Sequence, residues 1–172
     1  MQPVDYVAVR KAKDEHFRTS RHSPLGHGVH PDFGGLDYFE PRPDLVFTVP
    51  MTPGDGSEVH VATSDHSEKV YRTAGHVELA IEGVTLALTL YDTGHAGLFI
   101  PFKDATSGVS TYGAGRYLDV EPDDDGTVTI DFNLAYNPSC VYSDGWSCPI
   151  PPVENWLGVA VEAGEKMYRQ DG

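Results

Sequence analysis

From Leu45 to Val161 the chain alternates short apolar runs with turn signals. Val77, Leu79 and Ile81 take every second place, Glu82-Gly83 interrupts, and Val84, Leu86, Leu88 and Leu90 resume the alternation. Two such runs about a two-residue turn predict a β-hairpin, because side chains on a strand repeat every second residue. Thr127–Ala135 alternates as cleanly, with Val128, Ile130, Phe132 and Leu134 expected inward and Thr129, Asp131 and Asn133 outward. Shorter runs at Leu45–Val49, Glu58–Thr63, Lys69–Thr73, Ala96–Phe102, Arg116–Val120 and Trp156–Val161 also read as strands. Pro101 marks the end of its run or a sheet edge, since proline cannot donate to a ladder. Turns are expected at Thr52–Ser57, Asp104–Gly108 and Glu121–Gly126, with Gly113 and Gly115 as turn residues of positive φ.

The ends of the chain differ in texture. Tyr6, Val9, Lys13 and Phe17 recur at helical spacing behind a capping Asp5, which predicts one surface helix over residues 3–18. Residues 20–43 are rich in Gly and Pro and read as an ordered loop anchored by Leu25, Phe33, Leu36, Tyr38 and Phe39. Residues 137–153 form a second, proline-stiffened loop. Short strands at regular spacing behind a single helix argue for an all-β domain, an antiparallel sandwich or partly closed barrel spanning 45–162. A chain of 172 residues is most simply one such domain.

Composition adds a solvent argument. There are 26 acidic against 12 basic residues, for a formal net charge of −14. A surface of that sign repels nucleic-acid backbones and anionic membranes, so neither is expected as a partner. It suits a salt-rich cytosol, where the Debye length falls to about 3 Å and self-repulsion is screened. The first residues, MQPVDYVAVRKAKDEHF, lack the apolar stretch of a signal peptide, and no window approaches the length of a membrane span. A soluble cytoplasmic protein is the expectation.

The segments LFIPFKDATSG, TYGAGRYLD, DFNLAYNPSCVYSDGWSCPIPPVEN and the closing EAGE are familiar, as are the earlier SPL and FGGLDYFEP. From Ser23 to Glu165 they resemble the bacterial and archaeal family called domain of unknown function 1684. The resemblance implies membership but carries no activity, and His27 and His30 fall outside its motifs.

Candidate chemistry concentrates between Leu98 and Trp156. Cys140 and Cys148 are separated by seven residues. They admit three readings: buried small hydrophobes, a loop-closing disulfide, or half of a zinc site completed by His27 and His30 or by a carboxylate. Cytosolic redox works against the disulfide, and the spacing is not that of a zinc knuckle. Arg116 falls in phase with Leu118 and Val120, on a face that otherwise reads as buried, and so needs a carboxylate partner such as Asp131 or Glu154. That pair would either clamp a loop to the sheet or form an anion pocket.

Two functional readings follow. One is a small-ligand-binding β domain with a site built from Tyr112, Arg116, Asn133, Tyr136, Asn137, Trp146 and Asn155. The other is a hydrolase or lyase with Asp131 or Asp119 as general base and Arg116 stabilising an anion. A third, structural reading has Cys140 and Cys148 hold a metal or a bridge.

Overall fold

The computed structural model describes residues 3–26 and 28–168. One helix, α1 (Tyr6–Thr19), precedes eight strands: β1 (Val46–Pro50), β2 (Thr52–Pro53), β3 (Glu58–Ala62), β4 (Glu68–Ile81), β5 (Val84–Asp92), β6 (Leu98–Phe102), β7 (Arg116–Val120) and β8 (Thr127–Asp131). Asp5 caps α1 as expected, its carboxylate accepting from the Ala8 N–H at 3.1 Å. The strands form two antiparallel sheets that do not close into a barrel. A six-stranded sheet runs β2-β4-β5-β6-β7, with β3 also on β4, and a two-stranded ribbon pairs β1 with β8. The ribbon lies over the large sheet as a sandwich. Val128 and Ile130 of the ribbon meet Val77, Leu79, Leu88, Leu90, Ile100 and Leu118 of the sheet in one apolar core.

The hairpin β4–β5 forms in the expected register, Ile81 opposite Val84, and both turn residues take positive φ, 53° at Glu82 and 78° at Gly83. That matches the two-residue turn whose twist suits the flanking strands. At the tip Val84 is exposed and Leu86 half-buried; Leu88 and Leu90 carry the burial.

Three expectations need correction. Lys69–Thr73 and His76–Ile81 are one strand, β4, with a bulge between Thr73 and Gly75. Thr73 pairs with Tyr91 and Gly75 with Leu90, so odd-numbered residues cross from one face of the sheet to the other at the bulge. Gly75 is needed there: a Cβ would stand 2.7 Å from the Met51 side chain and 2.8 Å from the Thr52 carbonyl. Second, β8 stops at Asp131 and turns into a one-turn 3-10 helix at Phe132–Leu134. The turn buries Asp131 and Asn133, expected outward, and exposes Leu134, expected inward. Third, Trp156–Val161 forms no strand. Its alternation buries Leu157 and Val161, but its backbone makes no ladder: it bonds to Val153, Lys103, Ala105 and the side chains of Asp104 and Arg116. Of the expected turn glycines, Gly115 has φ 101° and Gly113 is not in the positive region.

The large sheet thus has two unlike faces. One is the main core. The other carries Tyr71, Tyr91, Phe99 and Tyr117, one ring from each of four neighbouring strands.

Candidate functional site

Strand β7 distributes its polar residues between those faces. Arg116 points into the core side and is fully buried. Its guanidinium donates to the backbone carbonyls of Ala163, Glu165 (3.1 Å) and Val161 (2.9 Å), with Asp104 as counter-ion at 3.6 Å. Asp104 also accepts from the Val161 N–H at 2.7 Å and the Thr106 hydroxyl at 2.7 Å. Burial lowers the Arg116 pKa, and the charges of Asp104 and Glu165 oppose that shift. The expected clamp is present, but its carboxylate comes from Asp104 rather than from Asp131 or Glu154. Every strong contact is made with the chain's own backbone, so an external anion has no approach to the fork.

The other polar residues singled out from the sequence hold loops. Asp131 accepts from the Tyr6 hydroxyl at 2.6 Å and from the Asn133 backbone and side chain at 3.0 Å, tying α1 to β8. Asn133 in turn brackets Arg42, accepting from its N–H at 2.7 Å and donating to its carbonyl at 2.9 Å. Asn155 fills the gap where β5 and β6 pair at Tyr91–Phe99 alone. It accepts from the Thr89 N–H at 2.8 Å and donates to the carbonyls of Thr89 and Pro101, both at 2.9 Å. Asn137 donates to the Lys166 carbonyl at 3.0 Å. Tyr112 is half-buried, its carbonyl accepting from the Gly115 N–H at 3.0 Å in the turn before β7. Glu154 accepts from the Tyr91 hydroxyl at 2.6 Å.

Asp119, three residues after Arg116, lies on the opposite face of β7 and opens onto a cleft of about 690 Å³. Its floor is a run of tilted and edge-on rings. Centroids are 6.0 Å apart for Tyr71–Phe99, 4.8 Å for Phe99–Tyr117 and 5.7 Å for Tyr117–Tyr136. One wall is the β5–β6 turn with His95; the other is the Pro138–Pro149 loop with Trp146 and Cys148. The Tyr117 hydroxyl donates to the Pro149 carbonyl and fixes that wall to the floor. The Tyr136 hydroxyl donates to one Asp119 oxygen at 2.8 Å, leaving the other oxygen for the cleft. Burial first, then the neighbouring carboxylate, pushes the Tyr136 pKa up, so it remains a donor. Lys69 and His95 also line the cleft and make no side-chain hydrogen bond or ion pair among the described residues.

Of the residues expected at a site, Asp119, Tyr136, Trp146 and Cys148 gather here. Arg116, Asp131, Asn133, Asn137 and Asn155 are enclosed elsewhere, and Tyr112 lies outside the lining. Tyr71, Phe99, Tyr117, Lys69 and His95 were not anticipated. The signal for three of them was present: Tyr71, Phe99 and Tyr117 each occupy the off-core phase of a strand, where a polar residue is the usual occupant.

Cys140 and Cys148 are joined in a disulfide, so their thiolates do not serve as zinc ligands and the metal reading is corrected. His27 lies outside the described residues, and the His30 ring contacts the Gly26 carbonyl at 3.3 Å. Among the described residues no three His, Cys, Asp or Glu side chains are grouped to hold a metal. The bridged loop is also pinned to the β3–β4 turn. Ser64 bonds to Cys148 through its backbone N–H (2.9 Å) and its hydroxyl (3.0 Å), and the Ser147 hydroxyl donates to Asp65 at 2.9 Å. Among the described residues no helix is long and apolar enough to cross a membrane.

The profile of the family described as protein of unknown function (DUF1684) matches residues 31–166. The fold is similar to the solution NMR structure of an uncharacterised protein of Haloarcula marismortui. The TM-score is 0.71 at 39% identity, over 93% of this chain and 91% of that one. No curated protein matches. The chain belongs to the DUF1684 family.

Proposed function

We propose that this member of the DUF1684 family binds a small organic ligand in the cleft over Phe99 and Tyr117. The observation that carries the reading is the pairing of an aromatic floor with three groups that the described residues leave unused. These are one Asp119 oxygen, the Lys69 ammonium and the His95 ring. The volume falls in the range of small-molecule sites, which run from about 300 to 1,000 Å³. Lys69 stands on β4 and Asp119 on β7, three strand spacings across the sheet and four residues apart along the strands, about 20 Å between their backbones. In a chain of net charge −14, a cleft with one carboxylate, one ammonium and one imidazole is locally free of the surface bias against anions. The ligand that fits is a flat anion, its acid group toward Lys69 and His95 and a hydroxyl or amine toward Asp119.

The test follows Trp146 fluorescence while 4-hydroxycinnamate, cinnamate and the uncharged 4-hydroxycinnamide are added. The hydroxy acid is expected to bind tightest, with Lys69→Gln erasing its advantage over the amide and Asp119→Asn its advantage over cinnamate. Equal binding of all three by wild type and variants, or binding by none, overturns the reading. The negative surface and the likeness to a haloarchaeal protein support a salt-rich cytoplasm as the working environment.

A further inference from the structure

The two cysteines of the Cys140–Cys148 bridge border different open spaces. Cys148 lines the cleft over Phe99 and Tyr117. Cys140 lines a second pocket of about 400 Å³ with Ser64, Asp65, Ser143, Asp144 and Trp146, and of these only Trp146 also lines the cleft. Cys148 is buried, whereas Cys140 is half-buried and its Sγ lies 3.2 Å from the hydroxyl of the exposed Ser64. The more accessible end of the bridge is therefore Cys140, on the side of the second pocket. Exposed bridges are the exchangeable ones.

The chain around each cysteine is held without the bridge. Beside Cys148, Pro149 accepts from the Tyr117 hydroxyl and the Ile150 N–H donates to the Ala62 carbonyl at 2.8 Å. Beside Cys140, the Tyr142 hydroxyl donates to Glu165 at 3.1 Å and the Ser143 hydroxyl to the Pro24 carbonyl at 2.6 Å. Opening the bridge therefore frees chiefly residues 144–147 and leaves the two sulfurs near enough to join again. The charged side chains that line the second pocket are Asp65 and Asp144. Hydrogen bonds from Thr63, Ser67 and Ser147 keep Asp65 ionised. A thiol that carries an ammonium group is drawn to such a pocket, and one that carries a second anion is repelled.

We propose that Cys140 is the point of attack for thiol–disulfide exchange with a small aminothiol, which opens the bridge without unfolding the protein. The incoming thiolate bonds to the Cys140 sulfur as the bond to Cys148 breaks. The electron pair of that bond departs on the Cys148 sulfur, which takes a proton from water. A second molecule of the same thiol then releases Cys140, giving two protein thiols and one small disulfide. The exchange is a property of the bridge and needs no ligand in the cleft.

The test treats the oxidised intact chain with cysteamine, 2-mercaptoethanol or 2-mercaptoethanesulfonate at equal thiolate concentration. Salt is the lowest at which circular dichroism shows the native fold, since screening mutes charge. Timed samples are capped with N-ethylmaleimide and mapped by mass spectrometry. The early product is expected to carry cysteamine on Cys140 and maleimide on Cys148, at a rate proportional to thiol concentration. Cysteamine should outpace the sulfonate by up to about fivefold, the worth of an exposed ion pair, and Asp144→Asn should narrow that lead. Single variants treated with cystamine check the assignment where the mixed disulfide resolves too fast to trap. Cys140 in folded Cys148→Ser should react roughly tenfold faster than Cys148 in folded Cys140→Ser. Faster reaction at Cys148, a rate independent of thiol concentration, or no lead for cysteamine would overturn the proposal.

Discussion

Arg116 and Asp119 sit three residues apart on one strand, yet one faces a closed interior and the other an open cleft. On the core side the guanidinium is enclosed by backbone carbonyls and Asp104, and each partner is another part of the same chain. On the cleft side Asp119 has one oxygen committed to Tyr136 and one free, in a cleft also lined by a lysine and a histidine that have no partner among the described residues. A polar residue enclosed by partners from its own chain keeps the structure together, even where one atom, the Arg116 Nε, is left without a hydrogen bond. One that is half-answered at a concave surface is available to a ligand. Counting polar residues along the chain does not separate the two cases; whether an unanswered atom is enclosed or opens onto a concave surface does.

Substitutions can break the comparison, and the largest effect belongs to the closed side. Arg116→Ala leaves Asp104 buried without its cation and should cost about 3–5 kcal/mol, the usual penalty for removing one partner of a buried pair. Urea unfolding measures it, and the fraction still folded is expected to bind in the cleft as before. A loss below about 1 kcal/mol would mean that Arg116 is not the clamp the geometry describes.

Replacing Cys140 and Cys148 together by serine comes next. The bridge closes a loop of nine residues, counting both cysteines, and chain-entropy reasoning puts its contribution at about 2–3 kcal/mol. Because the same loop forms a wall of the cleft, this change should also weaken ligand binding, which Arg116→Ala should not. Stability without a matching change in affinity would detach the loop from the site.

Alkaline titration probes both sides at once. Seven tyrosines have raised pKa values, and for each the foremost cause is burial; Tyr6, bonded to Asp131, is pushed up to about 12. A raised pKa means that the folded state favours the protonated phenol. The stability it contributes is complete below the unfolded value near 10 and is lost as pH rises toward 12. Phenolate absorbance should therefore appear late and together with unfolding. Tyr6→Phe should flatten the fall in melting temperature between pH 10 and 12, and an unchanged slope would argue against the Tyr6–Asp131 tie.

The smallest stability effect is expected on the open side. Asp119 is exposed, so Asp119→Asn should change stability by less than about 0.5 kcal/mol. The same change is expected to lower affinity for a ligand that donates to the carboxylate. A clear stability loss would make Asp119 a structural residue like Arg116.

The sequence announced the fold class, the β4–β5 hairpin, β7 to the residue, and the capped helix, because each rests on local alternation or a local cap. It was silent where a distant partner decides. Trp156–Val161 alternates as a strand would, since alternation records burial and not a neighbouring ladder; that stretch bonds to Lys103–Ala105, to Val153 and to the Arg116 side chain without pairing to a strand. Asp131 and Asn133 looked solvent-facing because nothing nearby foretells Tyr6 and Arg42, more than 90 residues away, as their partners. The cleft was half legible. Asp119, Tyr136, Trp146 and Cys148 lie within one stretch, whereas Lys69 and Tyr71 reach the site only because the bulge in β4 turns that part of the strand to the aromatic side.

The Arg116 clamp also bears on the order in which the chain can become a protein. The strand that carries the guanidinium is made some 45 residues before the carbonyls that receive it. While the nascent chain still lacks Val161 to Glu165, the core face of the edge strand β7 holds a charge that only Asp104 can answer. Shutting the interior around that half-neutralised charge is unfavourable, so the sheet stays open to water until the last carbonyls arrive. Arrival of the Val161–Glu165 segment and closure of the core are thereby coupled, so the arginine sets an order of assembly as well as bracing the folded molecule.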